Sequence, residues 1–267
     1  MKYGYCTNIN FMNGDTQSRE FFNAIVKGGF DYIETHISDI AEFEKDKYKL
    51  FKKELADNNI ACKVGLLLFP RNMPLASDEM NIGEIKAHAE KALSTADDLG
   101  TEVIVFGNGG TRAVKEGIDR EKANQRIRDI LAAVDPIAKK YGIKVVIEPL
   151  NQKETNMINS VQEAADFIKS VSAENIGIVC DWYHIRSDNQ TLNDMITNSD
   201  KIYHLHIAYP LGRTMPSISD NLDEYTEFVE IVKQIGYDNR LSIEGSVSVV
   251  TAEKFSEALM ILKNLFG

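Results

Sequence analysis

Short apolar runs and longer amphipathic runs alternate along the whole chain. Eight runs rich in Val, Ile and Tyr, bounded by Gly, Asn or Asp, predict strands over 3–7, 31–37, 61–68, 102–107, 143–148, 176–181, 202–207 and 240–244. Between them, apolar residues recur at helical spacing and predict helices over 18–27, 46–58, 83–99, 120–141, 160–170, 192–197, 222–235 and 251–265. In the first of these, Phe21, Phe22, Ile25 and Val26 form one apolar stripe. Gly28-Gly29, Gly100, Gly142 and Gly236 each stand just before a strand, where a glycine ends a helix in the left-handed conformation.

Eight strand-plus-helix units in 267 residues match the size of a (β/α)8 TIM barrel, an α/β fold. No Pro-, Gly- or Ser-rich linker divides the chain, so residues 1–267 are expected to form one barrel domain. A doubly wound open sheet usually has fewer units and a Gly-rich first turn. Here that turn reads Thr7-Asn8-Ile9-Asn10-Phe11.

Composition narrows the function classes. Lys+Arg number 30 against 40 Asp+Glu, a formal charge of −10, which disfavours a nucleic-acid partner because phosphate binding needs clustered cations. The six-residue apolar run 64–69 is far short of the ~20 residues that span a bilayer, so no membrane partner is expected. The N-terminal residues lack a signal-peptide apolar stretch, and a cytoplasmic location is expected. Cys6, Cys62 and Cys180 show no CxxC spacing and read as small apolar residues within strands.

A barrel carries its active site at the C-terminal strand ends. The fifth run ends on Glu148, the sixth on Asp181, the seventh on His206 and the eighth on Glu244. Four consecutive strands thus deliver one metal-type ligand each at one height. Three carboxylates crowd one mouth only at the cost of strong repulsion, which a divalent cation removes. Three oxygens and an imidazole suit Mn2+, Mg2+ or Co2+, and Zn2+ less well. His204 points the same way as His206, one layer deeper, and is expected to pack or to orient a ligand. His36 ends the second strand and is a candidate pocket residue, whereas His88 falls in a helix and reads as solvated.

The segments Glu148-Pro149-Leu150-Asn151-Gln152-Lys153-Glu154-Thr155, Asp181-Trp182-Tyr183-His184, His204-Leu205-His206 with Gly212-Arg213, and Ile243-Glu244 resemble the xylose-isomerase-like TIM-barrel superfamily. Within it they are most similar to the tagatose/psicose 3-epimerase group. That resemblance implies metal ligands at Glu148, Asp181, His206 and Glu244, with Mn2+ the expected ion. It implies substrate-oxygen contacts at Glu154, His184 and Arg213, a small sugar as partner, no nucleotide or other organic cofactor, and a homo-oligomer. Cys6 stands where the group often has an aromatic residue.

The activity so implied is inversion of C3 of a free ketose through a cis-enediolate, with Glu148 and Glu244 as acid and base on opposite faces. An aldose–ketose isomerase or a sugar-acid dehydratase or lyase on the same fold is the alternative. An AP-endonuclease-type nuclease would need more histidines than the five present, and a sugar-binding module without catalysis is a further alternative. Arg112 is a candidate for a substrate carboxylate or phosphate. Residues 69–75 are expected to form a helical lid, and Trp182 to pack between barrel and helix.

Overall fold

The eight apolar runs form eight parallel strands, because only a parallel sheet covered by helices buries such runs on both faces. The computed structural model describes all residues, 1–267. The strands are β1 (Lys2–Cys6), β2 (Tyr32–His36), β3 (Ala61–Leu66), β4 (Val103–Phe106), β5 (Lys144–Ile147), β6 (Ile176–Asp181), β7 (Ile202–Ile207) and β8 (Arg240–Ile243). They pair in chain order, and β8 returns to β1 to close the barrel. Closure leaves no unpaired sheet edge.

Eleven α-helices follow the strands. They are α1 (Thr16–Gly28), α2 (Ile37–Ile40), α3 (Lys45–Asp57), α4 (Ile82–Leu99), α5 (Gly109–Arg112), α6 (Arg120–Tyr141), α7 (Val161–Ser170), α8 (Trp182–Ser187), α9 (Asn193–Thr197), α10 (Thr226–Gln234) and α11 (Ala252–Phe266). Gly29, Gly100 and Gly142 take positive φ and cap α1, α4 and α6, as their positions before strands require. The short helices α2 and α8 begin directly at strand ends, and α5 begins after two residues beyond β4. A single turn is too short to show helical periodicity, so they lie outside the expected pattern.

Side chains inside the barrel alternate with those facing the helices. Tyr32, Val64, Val103, Val105, Val146 and Val179 pack together inside. A Cβ at Gly4 would stand 2.1 Å from the Tyr32 ring, so glycine there is what lets that ring cross the interior. The Tyr32 hydroxyl lies 2.9 Å from Ser242 Oγ. The opposite strand faces, with residues such as Ile33, Ile104, Ile178 and Leu241, join the large core beneath the helices.

Two expectations are overturned. Residues 69–75 contain no helix. Phe69 and Leu75 are buried, and the Leu75 N–H donates to Thr111 O at 3.2 Å, so the segment is packed onto the barrel as coil. His88 is not solvated but half-buried, its ring centroid 5.9 Å from that of Phe69. Trp182 packs outward, stacked on Phe228 of α10 at 5.3 Å between centroids.

Candidate active site

Glu148, Asp181, His206 and Glu244 converge at the C-terminal mouth, each offering one ligand atom within 4.8 Å of the others. Adjacent register sets this up: Asp181 on β6 pairs with His206 on β7, and Ile207 pairs with Ile243, placing Glu244 one residue past β8. The Glu244 N–H donates to Ile207 O at 3.0 Å and the Glu148 N–H to Phe106 O at 3.3 Å, so both carboxylates leave the barrel from anchored backbone.

Asp181 also caps α8. Its Oδ1 accepts from the Tyr183 N–H at 2.8 Å, which leaves Oδ2 facing the site. His206 is fully buried, with Nδ1 3.3 Å from Glu148 Oε1 and 3.0 Å from Glu244 Oε2. Glu244 Oε2 is a buried oxygen with no aligned hydrogen-bond donor.

Electrostatics reflect this crowding. Burial and the neighbouring Glu244 carboxylate push Glu148 above the ordinary carboxylate range. Burial carries Asp181 up to about 6 against the pull of Arg213. For Glu244 burial works in the same direction, but His206 and Arg213 outweigh it and hold it down at about 2. Three converging acids, two of them buried, outnumber the single arginine beside them and leave an excess of negative charge. A divalent cation among oxygen donors and one imidazole fits that charge.

The three residues expected on the substrate gather beside this cluster. Arg213 Nη2 lies 3.2 Å from Glu244 Oε2, and Nη1 donates to Glu154 Oε1 at 3.2 Å. Arg213 has a left-handed backbone, φ +51°. Its carbonyl accepts the Ser246 N–H at 2.8 Å, which ties the β7 loop to the β8 loop and offsets that strain. The Tyr183 ring stacks under its guanidinium, 4.8 Å away.

His184 is fully buried. Its Nδ1 accepts from the Asn151 side-chain amide at 2.8 Å and from the Asn151 N–H at 3.3 Å. Its Nε2 faces Asp181 Oδ2 at 3.4 Å and an Arg213 Nη2 at 3.3 Å. Burial lowers its pKa, which keeps the ring neutral. Asn151 also donates to Glu154 Oε1 at 3.0 Å, so one amide sets both side chains.

A cavity of about 450 Å³ opens beside Arg213 and Glu244 and extends past Cys6, Thr7, Asn8 and His36. Its size suits a small ligand. His36 faces this cavity, its Nδ1 3.2 Å from Asp39 Oδ2 and its Nε2 3.2 Å from an Arg71 Nη2. Arg112 does not. It is fully buried, and its guanidinium donates to the carbonyls of Phe106 and Glu148. The expectation that it meets a substrate anion fails because the side chain is buried away from the cavity and both terminal nitrogens already hold backbone carbonyls.

Sequence reasoning missed Asn151, Tyr183 and Glu34. Glu34 lies mid-strand in β2 with both oxygens on histidines, Oε2 2.9 Å from His204 Nε2 and Oε1 2.9 Å from His206 Nε2. A glutamate inside an otherwise apolar barrel strand was the available signal, since a buried charge survives only with partners.

Residues 22–265 match the family described as xylose isomerase-like TIM barrel. The chain belongs to that family. An inosose isomerase of Halalkalibacterium halodurans is 27% identical over 82% of this chain and 79% of its own. A ketose 3-epimerase of Arthrobacter globiformis is 25% identical over 90% of this chain and 82% of its own. Among solved structures, a D-allulose 3-epimerase from Methylomonas sp. in complex with D-allulose superposes with a TM-score of 0.81 at 17% identity, covering 99% of this chain and 96% of that one. The IolI protein with a binding zinc atom superposes at 0.72 and 20% identity, covering 100% and 98%. At such identities these xylose isomerase-like barrels share the fold with this chain. No helix of the chain is long and apolar enough to cross a membrane.

Proposed function

We propose that the protein is a metal-dependent sugar epimerase or isomerase, and most specifically a ketose 3-epimerase acting on a free ketose. The carrying observation is the set of four ligand atoms, within 4.8 Å of one another, on the ends of four consecutive strands. The names of its relatives, epimerases and isomerases of sugars and polyol ketones, support the enzyme class. Glu148, Asp181, His206 and Glu244 would hold the ion, and Mn2+ suits their oxygen-rich set best. When bound, a divalent cation polarises the substrate carbonyl and makes the neighbouring C–H more acidic.

The chain's own groups do the rest. Glu244, at the mouth of the cavity beside Arg213, would take the C3 proton through its carboxylate. Glu148, on the other side of His206 Nδ1 from Glu244, would return a proton on the other face of the planar enediolate. His184 Nε2 and the Arg213 guanidinium would meet hydroxyl oxygens beside the reacting carbon, and Glu154 would accept from a hydroxyl. In the reverse direction the two glutamates exchange roles.

The inosose isomerase relatives favour a second reading, a proton shift in a cyclic keto-polyol by the same two glutamates. The test is incubation with Mn2+ in D2O of D-fructose, D-tagatose, L-ribulose and an inosose, followed by NMR. Deuterium at C3 with inverted configuration is expected for a ketose. Exchange only in the inosose supports the second reading, and aldose formation supports aldose–ketose isomerisation. Glu148→Gln and Glu244→Gln are each expected to lower turnover at least 100-fold. Absence of exchange in every substrate sinks the enzymatic reading. We further propose a cytoplasmic homo-oligomer, which sedimentation and fractionation test directly.

A further inference from the structure

Glu34 stands on the opposite edge of the His206 ring from the three acids of the ligand cluster. It is fully buried, and a buried carboxylate is costly unless both oxygens are satisfied. Here they are: Oε1 lies 2.9 Å from His206 Nε2 and Oε2 2.9 Å from His204 Nε2. A carboxylate only accepts, so each ring must present its Nε2–H.

Two further observations agree. His204 Nδ1 is buried without a partner, which an imidazole tolerates far better as a bare acceptor than as a stranded N–H. Ser242 Oγ lies 3.4 Å from His204 Nε2 and 2.9 Å from the Tyr32 hydroxyl, anchoring that ring from below. On His206 the other nitrogen, Nδ1, points between Glu148 Oε1 at 3.3 Å and Glu244 Oε2 at 3.0 Å, so by the same rule it carries a proton here that a cation bound among these acids would displace.

We propose that Glu34 is a positioning residue which, by accepting Nε2–H from His204 and His206 together, fixes the His206 ring so that Nδ1 alone faces a divalent cation. This rests on the metal reading above. Glu34 touches neither the ion nor the sugar. His204 acts one step further out, holding the second carboxylate oxygen so that Glu34 cannot swing away.

The test uses metal affinity, not turnover. Mn2+ and Zn2+ dissociation constants are measured by titration calorimetry on the full chain, and the visible spectrum of the Co2+ form is recorded. Glu34→Gln keeps the shape but can accept from only one ring. It is expected to weaken ion binding roughly 10- to 100-fold and to shift the Co2+ bands, as loss of an outer partner of a ligand does. His204→Phe is expected to weaken it by less, and the double variant to be no worse than Glu34→Gln alone, because His204 acts through Glu34.

Binding by Glu34→Gln within twofold of the unaltered chain, whatever its melting temperature, overturns the proposal and leaves the metal reading standing. Failure of the unaltered chain to bind either ion overturns both. If Glu34→Gln does not fold, 15N NMR of the Zn2+-loaded unaltered chain decides. A protonated Nε2 and a ligated Nδ1 on His206 support the assignment, and a ligated Nε2 refutes it.

Discussion

A methyl group at Gly107 would stand 2.2 Å from Glu148 Oε2, well inside contact distance. The carboxylate occupies the space that a side chain would fill, so this glycine shapes the ligand cluster without touching it by any polar group. Gly107→Ala is expected to displace Glu148, weaken divalent-ion binding at least 10-fold by calorimetry and leave the fold intact by circular dichroism. Arg112 supports the same residue from behind through the Glu148 and Phe106 carbonyls. Burial lowers its pKa only to about 10, so it remains a cation at neutral pH. Arg112→Met strips two buried carbonyls of their donors and is expected to cost on the order of 3 kcal/mol in urea denaturation. Neither effect shows in the string Phe106-Gly107-Asn108-Gly109-Gly110-Thr111-Arg112. There the arginine invites a substrate reading, and only the packing shows that it and Gly107 serve Glu148.

Among the elements, the start of α7 organises the loop that bears Asn151 and Glu154. Ser160 caps the helix by accepting the Glu163 N–H, and Glu163 in turn accepts from the Asn159 N–H at 2.8 Å. The Asn159 amide donates back to Leu150 O at 2.7 Å and to Thr155 O at 2.9 Å. The helix N-terminus thus clamps both ends of the loop from Leu150 to Thr155. Asn159→Ala is expected to raise KM for the sugar several-fold while changing kcat little, since it frees Glu154 but not the ion ligands. Strands were legible as short continuous apolar runs bounded by Gly, Asn or Asp, and long helices because their apolar period of 3.6 runs over many residues. The one-turn helices α2, α5 and α8 and the coil over 69–75 were not, because tertiary contacts such as Leu75 N–H to Thr111 O, rather than local pattern, set them.

For the molecule as a whole, the converging acids link stability to the ion. An ion that binds only the folded barrel adds about 2.7 kcal/mol at 100 times its dissociation constant. Mn2+ is therefore expected to raise the melting temperature, and a chelator to reverse the gain, when followed by calorimetry. His88 adds a pH dependence. Burial lowers its pKa below the ordinary 6.5, so the unfolded chain takes up a proton more readily than the folded one. Stability from this group is present above pH 6.5 and is lost as pH falls below it. His88→Gln is expected to flatten that part of the melting temperature against pH.

Hydrophobic period and strand-end chemistry, both local properties, determined the barrel, its eight units and the four residues Glu148, Asp181, His206 and Glu244. Each is written in a few neighbouring residues and needs only the rule that barrel strands present their C-terminal ends together. Tertiary structure alone decided what surrounds those four. The Glu34 bridge joins β2 to β7 across the barrel, 172 residues apart in the chain. Asn151 reaches His184 from another strand's loop, and Gly107 yields its space to Glu148. Such partners lie far apart in the chain and are chosen by volume and hydrogen-bond geometry inside a closed barrel, quantities that no run of adjacent residues encodes.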